Sequence, residues 1–230
     1  MGKTVRGSTI EGHLIEAGDV RFAYPGGEFE LRVRELRIDA GDRVAVVGPS
    51  GAGKTTLIHL LAGLLTPSAG RIRVVGLELE GLTEEDRKDL RLLRLGLVFQ
   101  ELELLEYLDV LDNVLLPYRM SPVLELDGAV RARARALVEE VGLGDKLRRV
   151  PSRLSQGERQ RVAVARSLVT QPAIVFGDEP TGNLDAENRD HVAEILFRYS
   201  GETGAPLVVV THDRELTERF ARTLDVRELA

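Results

Sequence analysis

One stretch of the sequence has glycine, lysine and threonine at the spacing of a phosphate-binding loop. The run Gly48-Pro49-Ser50-Gly51-Ala52-Gly53-Lys54-Thr55-Thr56 fits the pattern G-x-x-x-x-G-K-[ST]. The apolar run 43–47 before it has strand character and residues 56–62 after it have helical character, which is the context that the pattern requires. Glycines let consecutive backbone N–H groups turn toward phosphate oxygens, and the start of the following helix adds its positive dipole end. Lys54 is therefore expected to bridge the β- and γ-phosphates of a nucleotide, and the Thr55 hydroxyl to ligate magnesium.

A glycine turn that merely joins a strand to a helix is the plainer interpretation of this loop. The chain has only four lysines, at positions 3, 54, 88 and 146. One of them occupies the position that the phosphate-binding pattern requires, and this favours a nucleotide site.

Two further apolar runs end in residues that can do chemistry. The run 173–177 is followed by the adjacent acids Asp178 and Glu179. One carboxylate can hold Mg²⁺, directly or through water, while its neighbour polarises an attacking water. The run 207–210 leads to His212, which considered alone is more typical of a structural histidine. Its place at the end of a buried strand in an α/β chain favours a ligand role, because ligands gather there.

The segment Leu154-Ser155-Gln156-Gly157-Glu158 opens an amphipathic helix. Ser155 at the N-cap and Glu158 three residues later form a capping box, which is a sufficient structural reason for both residues. The same helix start, preceded by Ser and Gly, is also a candidate anion site.

Tyr24 and the segment 101–126 each have two possible interpretations from the sequence alone. Tyr24 belongs to a turn cluster, where its ring can pack on the sheet or stack on an adenine ring. Residues 101–126 are leucine-rich but carry several acids, so they form the core of a helical subdomain, a face that binds a partner, or both.

Strands alternate with helices along the chain, which predicts a mainly parallel sheet covered on both faces. Beyond the segments above, the pattern predicts strands at 13–22, 29–33, 71–75 and 96–99 and helices at about 83–95, 127–141 and 186–200, the last ended by Gly201 to Gly204. On helix 127–141, the arginines Arg131, Arg133 and Arg135 are predicted to form a solvated face rather than a nucleic-acid site.

Composition limits the function classes. The 230 residues suit one large α/β domain, or a core with an inserted subdomain. The absence of cysteine excludes disulfides, thiolate metal sites and cysteine nucleophiles. A net charge of −6 argues against a protein that mainly grips a nucleic-acid backbone. No run approaches the roughly 18 apolar residues of a membrane span, so any membrane association is expected to go through a partner.

Together these elements resemble the nucleotide-binding subunit of ATP-binding cassette (ABC) transporters over nearly the whole chain. The order of the motifs carries the resemblance: phosphate loop 48–56, Gln100, signature segment 154–158, acids 178–179, Asn183-Leu184-Asp185 and His212. The signature segment is peculiar to this superfamily and separates it from other P-loop ATPases.

The resemblance implies an α/β fold of the P-loop NTPase type, with a RecA-like core, an N-terminal antiparallel β subdomain and an inserted helical subdomain. The chain would be a single ABC ATPase domain over 1–230. Residues 10–100 and 168–230 would form the core with its β subdomain, and 101–167 the helical signature subdomain.

The resemblance also implies roles for single residues. Tyr24 would stack on adenine, Glu179 would be the general base for the attacking water, and His212 would contact the γ-phosphate. The signature segment would reach ATP held by another copy, with Asp185 at the dimer seam. The expected site residues are, for catalysis, Glu179, His212, Gln100, Lys54, Ser155, Gly157 and Asp185; for ATP, Tyr24, Gly48, Pro49, Ser50, Gly51, Ala52, Gly53, Lys54, Thr55, Thr56, Ser155, Gln156, Gly157 and His212; and for Mg²⁺, Thr55, Gln100 and Asp178.

The implied function is that of an ATP-hydrolysing motor. Two chains would pack head to tail around two ATP molecules, and their opening and closing would drive a separate membrane permease. A finer resemblance to the LolD/MacB/FtsE-type group implies a four-span permease and an exporter or lipoprotein-release system. The chain would then be cytoplasmic and held at the cytoplasmic face of the cell membrane by the permease. The alternatives are an ATPase that signals through a permease to a cell-wall hydrolase, or a soluble ABC ATPase of DNA repair or translation.

Two positions depart from the family pattern. Gln156 replaces the commoner glycine of the signature, which should leave Ser155 and Gly157 in place. Gly177 precedes Asp178 where a larger residue is usual, and this is expected to loosen the local packing without affecting the chemistry.

Overall fold

The described part of the chain in this computed structural model, residues 13–27, 29–99, 102–182 and 184–230, alternates between strands and helices. The strands are β1 (Ile15–Ala23), β2 (Glu30–Ile38), β3 (Arg43–Val47), β4 (Ala69–Val74), β5 (Leu77–Glu78), β6 (Leu95–Val98), β7 (Ile174–Asp178), β8 (Leu207–Val210) and β9 (Arg222–Asp225). The helices are α1 (Lys54–Leu61), α2 (Glu84–Arg94), α3 (Val110–Val114), α4 (Leu116–Met120), α5 (Gly128–Glu140), α6 (Gln156–Leu168), α7 (Ala186–Thr203) and α8 (Arg214–Thr217).

The strands form two sheets. An antiparallel sheet has the order β2-β1-β4-β5, and a parallel sheet has the order β6-β7-β8-β3-β9. All four neighbouring pairs of the second sheet are parallel, so the carboxyl ends of its strands lie along one edge. The loops that follow β3, β7 and β8 therefore meet at that edge, which places the phosphate loop beside the acids and the histidine.

Alternating residues of the central strands face two different hydrophobic cores, one on each side of the parallel sheet. Val208 and Val210 of β8 face a core shared with the antiparallel sheet and α1. Leu207 and Val209 of the same strand face a second core shared with α3, α5, α6 and α7. Because successive side chains of a strand point to opposite faces, a strand buried on both sides is apolar throughout. The expected parallel sheet, covered on both faces, is confirmed.

Two details of the expected helices are wrong. Helix α7 does not stop at residue 200 but continues through Gly201 to Thr203, and Gly204, with a φ of 71°, forms the left-handed C-cap that glycine favours. On α5, Arg133 is not solvated: its Nε donates to the Val169 carbonyl at 2.8 Å and its Nη2 to the Tyr118 hydroxyl at 2.6 Å. Arg133 thus ties α5 to α4 and to the end of α6, whereas Arg131 and Arg135 are exposed as expected.

Strand β9 has no counterpart in the expectations from sequence. It lies at the edge of the parallel sheet beside β3, and Leu224 is its one buried residue. An edge strand with a single buried side chain has almost no hydrophobic pattern. The sequence therefore does not predict this strand, and its pairing with β3 identifies it. Within the described ranges, none of the helices has both the length and the apolar character that a bilayer crossing needs.

Candidate active site

A cleft of about 610 Å³ lies between the phosphate loop and the carboxyl ends of β7 and β8. It is lined by Tyr24, Phe29, Ser50, Gly51, Gly53, Lys54, Thr55, Thr56, Asp178, Glu179, Gly182, Val210 and His212. Residues expected from four separate parts of the sequence thus come together in one cavity. Gly48, Pro49 and Ala52 belong to the same loop without lining the cleft.

The phosphate loop leaves the start of α1 open to a ligand. Gly53 is the N-cap residue, with φ of 96° and no side-chain hydrogen bond to the first turn. A Cβ at this position would lie 2.6 Å from Phe29 Cζ, so only glycine fits here. The first N–H groups of α1 therefore remain available as donors, and the helix dipole favours an anion at the same place.

The side chain of Lys54 folds back onto the phosphate loop. Its Nζ donates to the carbonyl oxygens of Gly48 at 2.9 Å and Pro49 at 3.0 Å. The ammonium group therefore lies inside the cradle of backbone groups, where a phosphate oxygen is attracted to both charge and N–H donors. The side chain of the neighbouring Thr55 is exposed and lines the cleft.

An aromatic wall borders the other side of the cleft. Tyr24 is 43% exposed and packs edge-on against Phe22, with 4.9 Å between ring centroids. Its hydroxyl lies 3.3 Å from Thr56 Oγ1. The ring thus combines both interpretations of Tyr24, because it rests on the sheet and still offers exposed surface to the cleft. Phe29, 6.2 Å away between centroids, completes the wall and was missed from the sequence, where it reads as the start of a strand.

The two acids after β7 have different surroundings. Asp178 is 4% exposed, and its buried Oδ1 has no hydrogen-bond partner among the described residues. Such an orphaned carboxylate oxygen in a polar cleft fits the ligand set of Mg²⁺. Glu179 has a φ of 51°, an uncommon left-handed conformation of the kind found at functional sites, and its N–H donates to Val210 O at 3.0 Å. Its Oε1 lies 2.8 Å from His212 Nδ1, so strands β7 and β8 contribute to one contact.

The glycine before these acids is required by close packing. A Cβ on Gly177 would lie 2.9 Å from Pro180 Cγ, inside the limit of real contacts. The expectation that Gly177 loosens the packing is therefore wrong. The small residue lets Pro180 close over the strand end and so fixes the turn that carries Glu179.

The signature helix α6 has its start outside the cleft. Ser155 Oγ accepts from Glu158 N–H at 3.2 Å, and the Glu158 carboxylate accepts from Ser155 N–H at 2.8 Å, which confirms the capping box. Because Ser155 Oγ accepts in the cap, its own O–H stays free to donate. Lys146 Nζ lies 2.5 Å from Glu158 Oε1, and this hydrogen bond is the main reason why the pKa of Glu158 is lowered. Ser155 and Gln156 are exposed, so this helix start faces solvent.

The remaining expected residues lie apart from the cleft. Among the described residues that line it, none belongs to the signature set Ser155, Gln156 and Gly157, and Asp185 is absent as well. Asp185 is the exposed N-cap residue of α7, and bonds from the Asn188 backbone and side chain lower its pKa. Gln100 lies outside the described residues.

Thr55 and Asp178 are the described residues of the cleft expected to hold Mg²⁺. In the described ranges, no three His, Cys, Asp or Glu residues are grouped in a way that could hold one. Magnesium in nucleotide sites takes one or two protein oxygens and completes its shell with phosphate oxygens and water. The pair Thr55 and Asp178 matches that requirement.

Known proteins share both the sequence and the shape of this chain. The family described as ABC transporter matches residues 31–182. The chain belongs to this family. YbbA of Escherichia coli K12, named as an uncharacterised ABC transporter ATP-binding protein, is 41% identical over 92% of this chain and 93% of its own length. The lipoprotein-releasing system ATP-binding protein LolD of Hydrogenovibrio crunogenus is 39% identical over 94% of each chain.

A solved structure supports the fold of this ABC protein. The ATP-binding cassette MJ0796, in a dimeric post-hydrolysis state bound to ADP and Pi, has a TM-score of 0.83 and 29% identity, covering 92% of this chain and 93% of that one. The expected P-loop NTPase fold with a separate antiparallel sheet is confirmed. The protein is an ABC ATPase, and the expected likeness to LolD-type subunits is also confirmed.

Proposed function

We propose that this ABC ATPase is the motor subunit of a transporter that works through a separate membrane permease, of an exporter or lipoprotein-release type. One observation carries the proposal. The chain has a nucleotide cleft and an exposed signature helix start, and the described lining of the first includes no residue of the second. Two copies are therefore needed to bring the two parts together. The relative LolD, whose name states lipoprotein release, supports the choice of system.

Within one copy, the cleft residues divide the work on ATP. Tyr24 offers a ring face for the adenine, and Lys54 with the start of α1 binds the β- and γ-phosphates. Thr55 and Asp178 would hold Mg²⁺ together with the phosphate oxygens, and Gln100 is a proposed further ligand. Bound there, the ion would supply positive charge that offsets the charge of the phosphates.

Glu179 is the proposed general base. Its carboxylate stands at the end of β7 beside the phosphate loop and is only 15% exposed at the side chain, so it can accept a proton from water in a sheltered position. His212, 2.8 Å away, orients this carboxylate and points into the same cleft, where its ring can contact the γ-phosphate.

The second half of each site comes from another copy. The Ser155 hydroxyl, the Gly157 backbone and the dipole of α6 would meet the γ-phosphate held by the partner's phosphate loop, with Gln156 alongside and Asp185 at the seam. The dimeric state named for MJ0796 supports this arrangement. Hydrolysis removes the phosphate contacts and lets the copies separate.

The helical region supplies a face for the permease. We propose that residues 101–167 form a subdomain inserted between core segments 10–100 and 168–230. This region carries three exposed apolar side chains, Tyr107 at 78%, Met120 at 53% and Val123 at 62% exposure. Aromatic and methionine side chains are enriched in protein–protein interfaces relative to the rest of the surface.

Affinity capture tests the partnership. Tagged Glu179→Gln would be incubated with ATP and Mg²⁺ and captured from detergent-solubilised membranes of the source organism. Recovery of a four-span membrane protein is expected, and Tyr107→Glu should reduce it without changing ATP binding. Capture of nucleic-acid or ribosomal proteins alone would overturn the transporter role and leave the ATPase chemistry intact. Capture of a permease together with a cell-wall hydrolase would favour the signalling alternative.

A further inference from the structure

The first turn of α7 has two consecutive side chains that reach in different directions. Asn188 Oδ1 accepts a hydrogen bond from Arg161 Nη1 on the signature helix α6. The Asn188 amide also donates to Asp185 Oδ2 at 2.8 Å. A Cβ placed on Gly157 would lie 3.4 Å from Asn188 Cγ, so the backbone of the signature helix packs closely on this side chain. Asn188 therefore fixes the position of α6 against the start of α7.

The next residue, Arg189, reaches the loop that carries His212. Its Nη1 donates to Asp213 Oδ2 at 2.9 Å and its Nη2 to Glu215 Oε2 at 2.6 Å. Asp213 directly follows His212 in the chain, so this ion pair restrains the backbone next to the histidine.

Asp213 is tied to neighbouring residues of its own loop, so it moves together with them. Its N–H donates to Thr211 Oγ1 at 3.0 Å, its carbonyl accepts from Thr217 Oγ1 at 2.7 Å, and its Oδ1 accepts from Leu216 N–H at 3.2 Å. A displacement of Arg189 would therefore move Asp213 together with the residues on either side, including His212.

Consecutive residues of a helix project about 100° apart, so one rigid turn can hold two neighbours at once. Asn188 holds the helix that carries Ser155, and Arg189 holds the loop that carries His212. Within the described lining of the cleft, neither residue is present. Any effect of Asn188 and Arg189 on hydrolysis must therefore pass through the groups that they position.

We propose that the first turn of α7 couples the signature helix to the His212 loop, and that Asn188 and Arg189 are positioning residues for ATP hydrolysis. This inference rests on the proposed roles of Ser155 and His212. Arrival of the signature helix at a partner's nucleotide is transmitted through Arg161, Asn188 and Arg189 to the loop that contacts the copy's own nucleotide. Each copy thereby links the site that it completes in trans to the site that it holds in cis.

The test compares steady-state ATP hydrolysis by the purified chain with its Asn188→Ala and Arg189→Gln variants. Both substitutions should lower kcat by roughly tenfold or more, the size of effect that small misplacements of catalytic groups produce. The KM for ATP and the equilibrium affinity for a fluorescent ATP analogue should stay within about twofold of the parent, because the cleft lining is unchanged. Arg189→Lys, which keeps one charged donor for Asp213, should recover part of kcat. If Arg189→Gln does not fold, Arg189→Lys carries the test, with a smaller loss of kcat expected.

The double variant decides whether the two contacts act as one unit. If they do, Asn188→Ala combined with Arg189→Gln should be about as slow as the slower single variant. Losses that multiply, a kcat near the parent value, or a change confined to KM would each overturn the coupling.

Two further variants complete the design. The control is Arg198→Gln, which removes an ion pair to Glu140 from the far part of the same helix and should leave kcat unchanged. An active Glu179→Gln in the same assay would overturn the proposed assignment of Glu179 as the general base. An inactive Glu179→Gln with normal Asn188 and Arg189 variants would overturn this inference alone.

Discussion

Two helix starts in this chain are suited to anions, and they are built in opposite ways. Helix α1 begins at a left-handed glycine, Gly53, whose lack of a side chain leaves the first N–H groups without a local acceptor. Helix α6 begins at Ser155, which with Glu158 forms a complete capping box. The first start lies inside a cleft with Lys54, and the second faces solvent.

The difference indicates a division of labour. A helix start that lacks a cap costs stability unless a ligand satisfies its donors, so α1 suits a nucleotide that stays bound. The capped start of α6 is stable on its own and still offers the Ser155 hydroxyl proton and the helix dipole. It can therefore stand exposed until another copy presents a phosphate.

The largest expected effect comes from a substitution that stops ATP hydrolysis, the reaction that both helix starts serve. Glu179→Gln keeps the shape of the side chain but removes the base, so hydrolysis should fall by about 10²- to 10⁴-fold. ATP binding should persist, and light scattering should show a dimer with ATP and Mg²⁺. Near-normal turnover in this variant would contradict the assignment of Glu179.

A second change separates the two helix starts by affinity. Lys54→Ala removes the charged donor in the α1 cradle, so ATP affinity should fall by roughly ten- to a hundredfold. In an equilibrium titration of dilute protein, Ser155→Ala should bind ATP as the parent does, because Ser155 does not line the cleft. Equal losses of affinity in both variants would mean that one copy holds ATP with both starts.

A third change separates the cap of α6 from its contact with phosphate. Ser155→Asp keeps a good N-cap, so thermal unfolding should resemble that of the parent, but its negative charge should repel the γ-phosphate and prevent the ATP-dependent dimer. Ser155→Ala should instead lose about 1 kcal/mol of stability with the cap. If Ser155→Asp still dimerised with ATP, the signature helix could not be the half that meets phosphate.

The smallest expected effect concerns Lys146. Its hydrogen bond lowers the pKa of Glu158 in the folded state from the usual value of 4.5, so the pair contributes stability above that value. The contribution is lost as the pH falls below 4.5 through the lowered pKa of the folded protein. Lys146→Gln should therefore cost up to about 1 kcal/mol at pH 7 and progressively less below pH 4.5. Chemical denaturation measures this loss of stability at each pH. A loss that stays constant across this range would show that the contribution of Lys146 does not depend on the ionisation of Glu158.

Local chemistry in the sequence predicted both helix starts. The glycine spacing of the phosphate loop and the Ser155–Glu158 box each involve residues that are neighbours along the chain, so their interactions follow from the sequence pattern. Site roles for the strand-end acids and for His212 were also predicted, the latter because ligands gather at the carboxyl ends of buried strands in an α/β chain.

Contacts between distant segments could not be predicted in this way. That Phe29 fills the space beside Gly53, and that Arg161 reaches Asn188, depends on how the antiparallel sheet and the helices pack. Gly177 shows the same limit, since comparison with the usual residue predicted looser packing and Pro180 in fact occupies the space. The sequence at these positions specifies size and polarity but not the partner.

Cross-linking tests most directly whether the two helix starts meet across two copies. The chain has no cysteine, so Ser50→Cys in one preparation and Gln156→Cys in another, both with Glu179→Gln, carry the only thiols. A short bismaleimide added to the mixture should give a cross-linked dimer with ATP and Mg²⁺, little without ATP, and none with either preparation alone. A cross-link that forms equally without ATP, or within each single preparation, would contradict a head-to-tail dimer in which the signature helix of one copy closes over the nucleotide of the other.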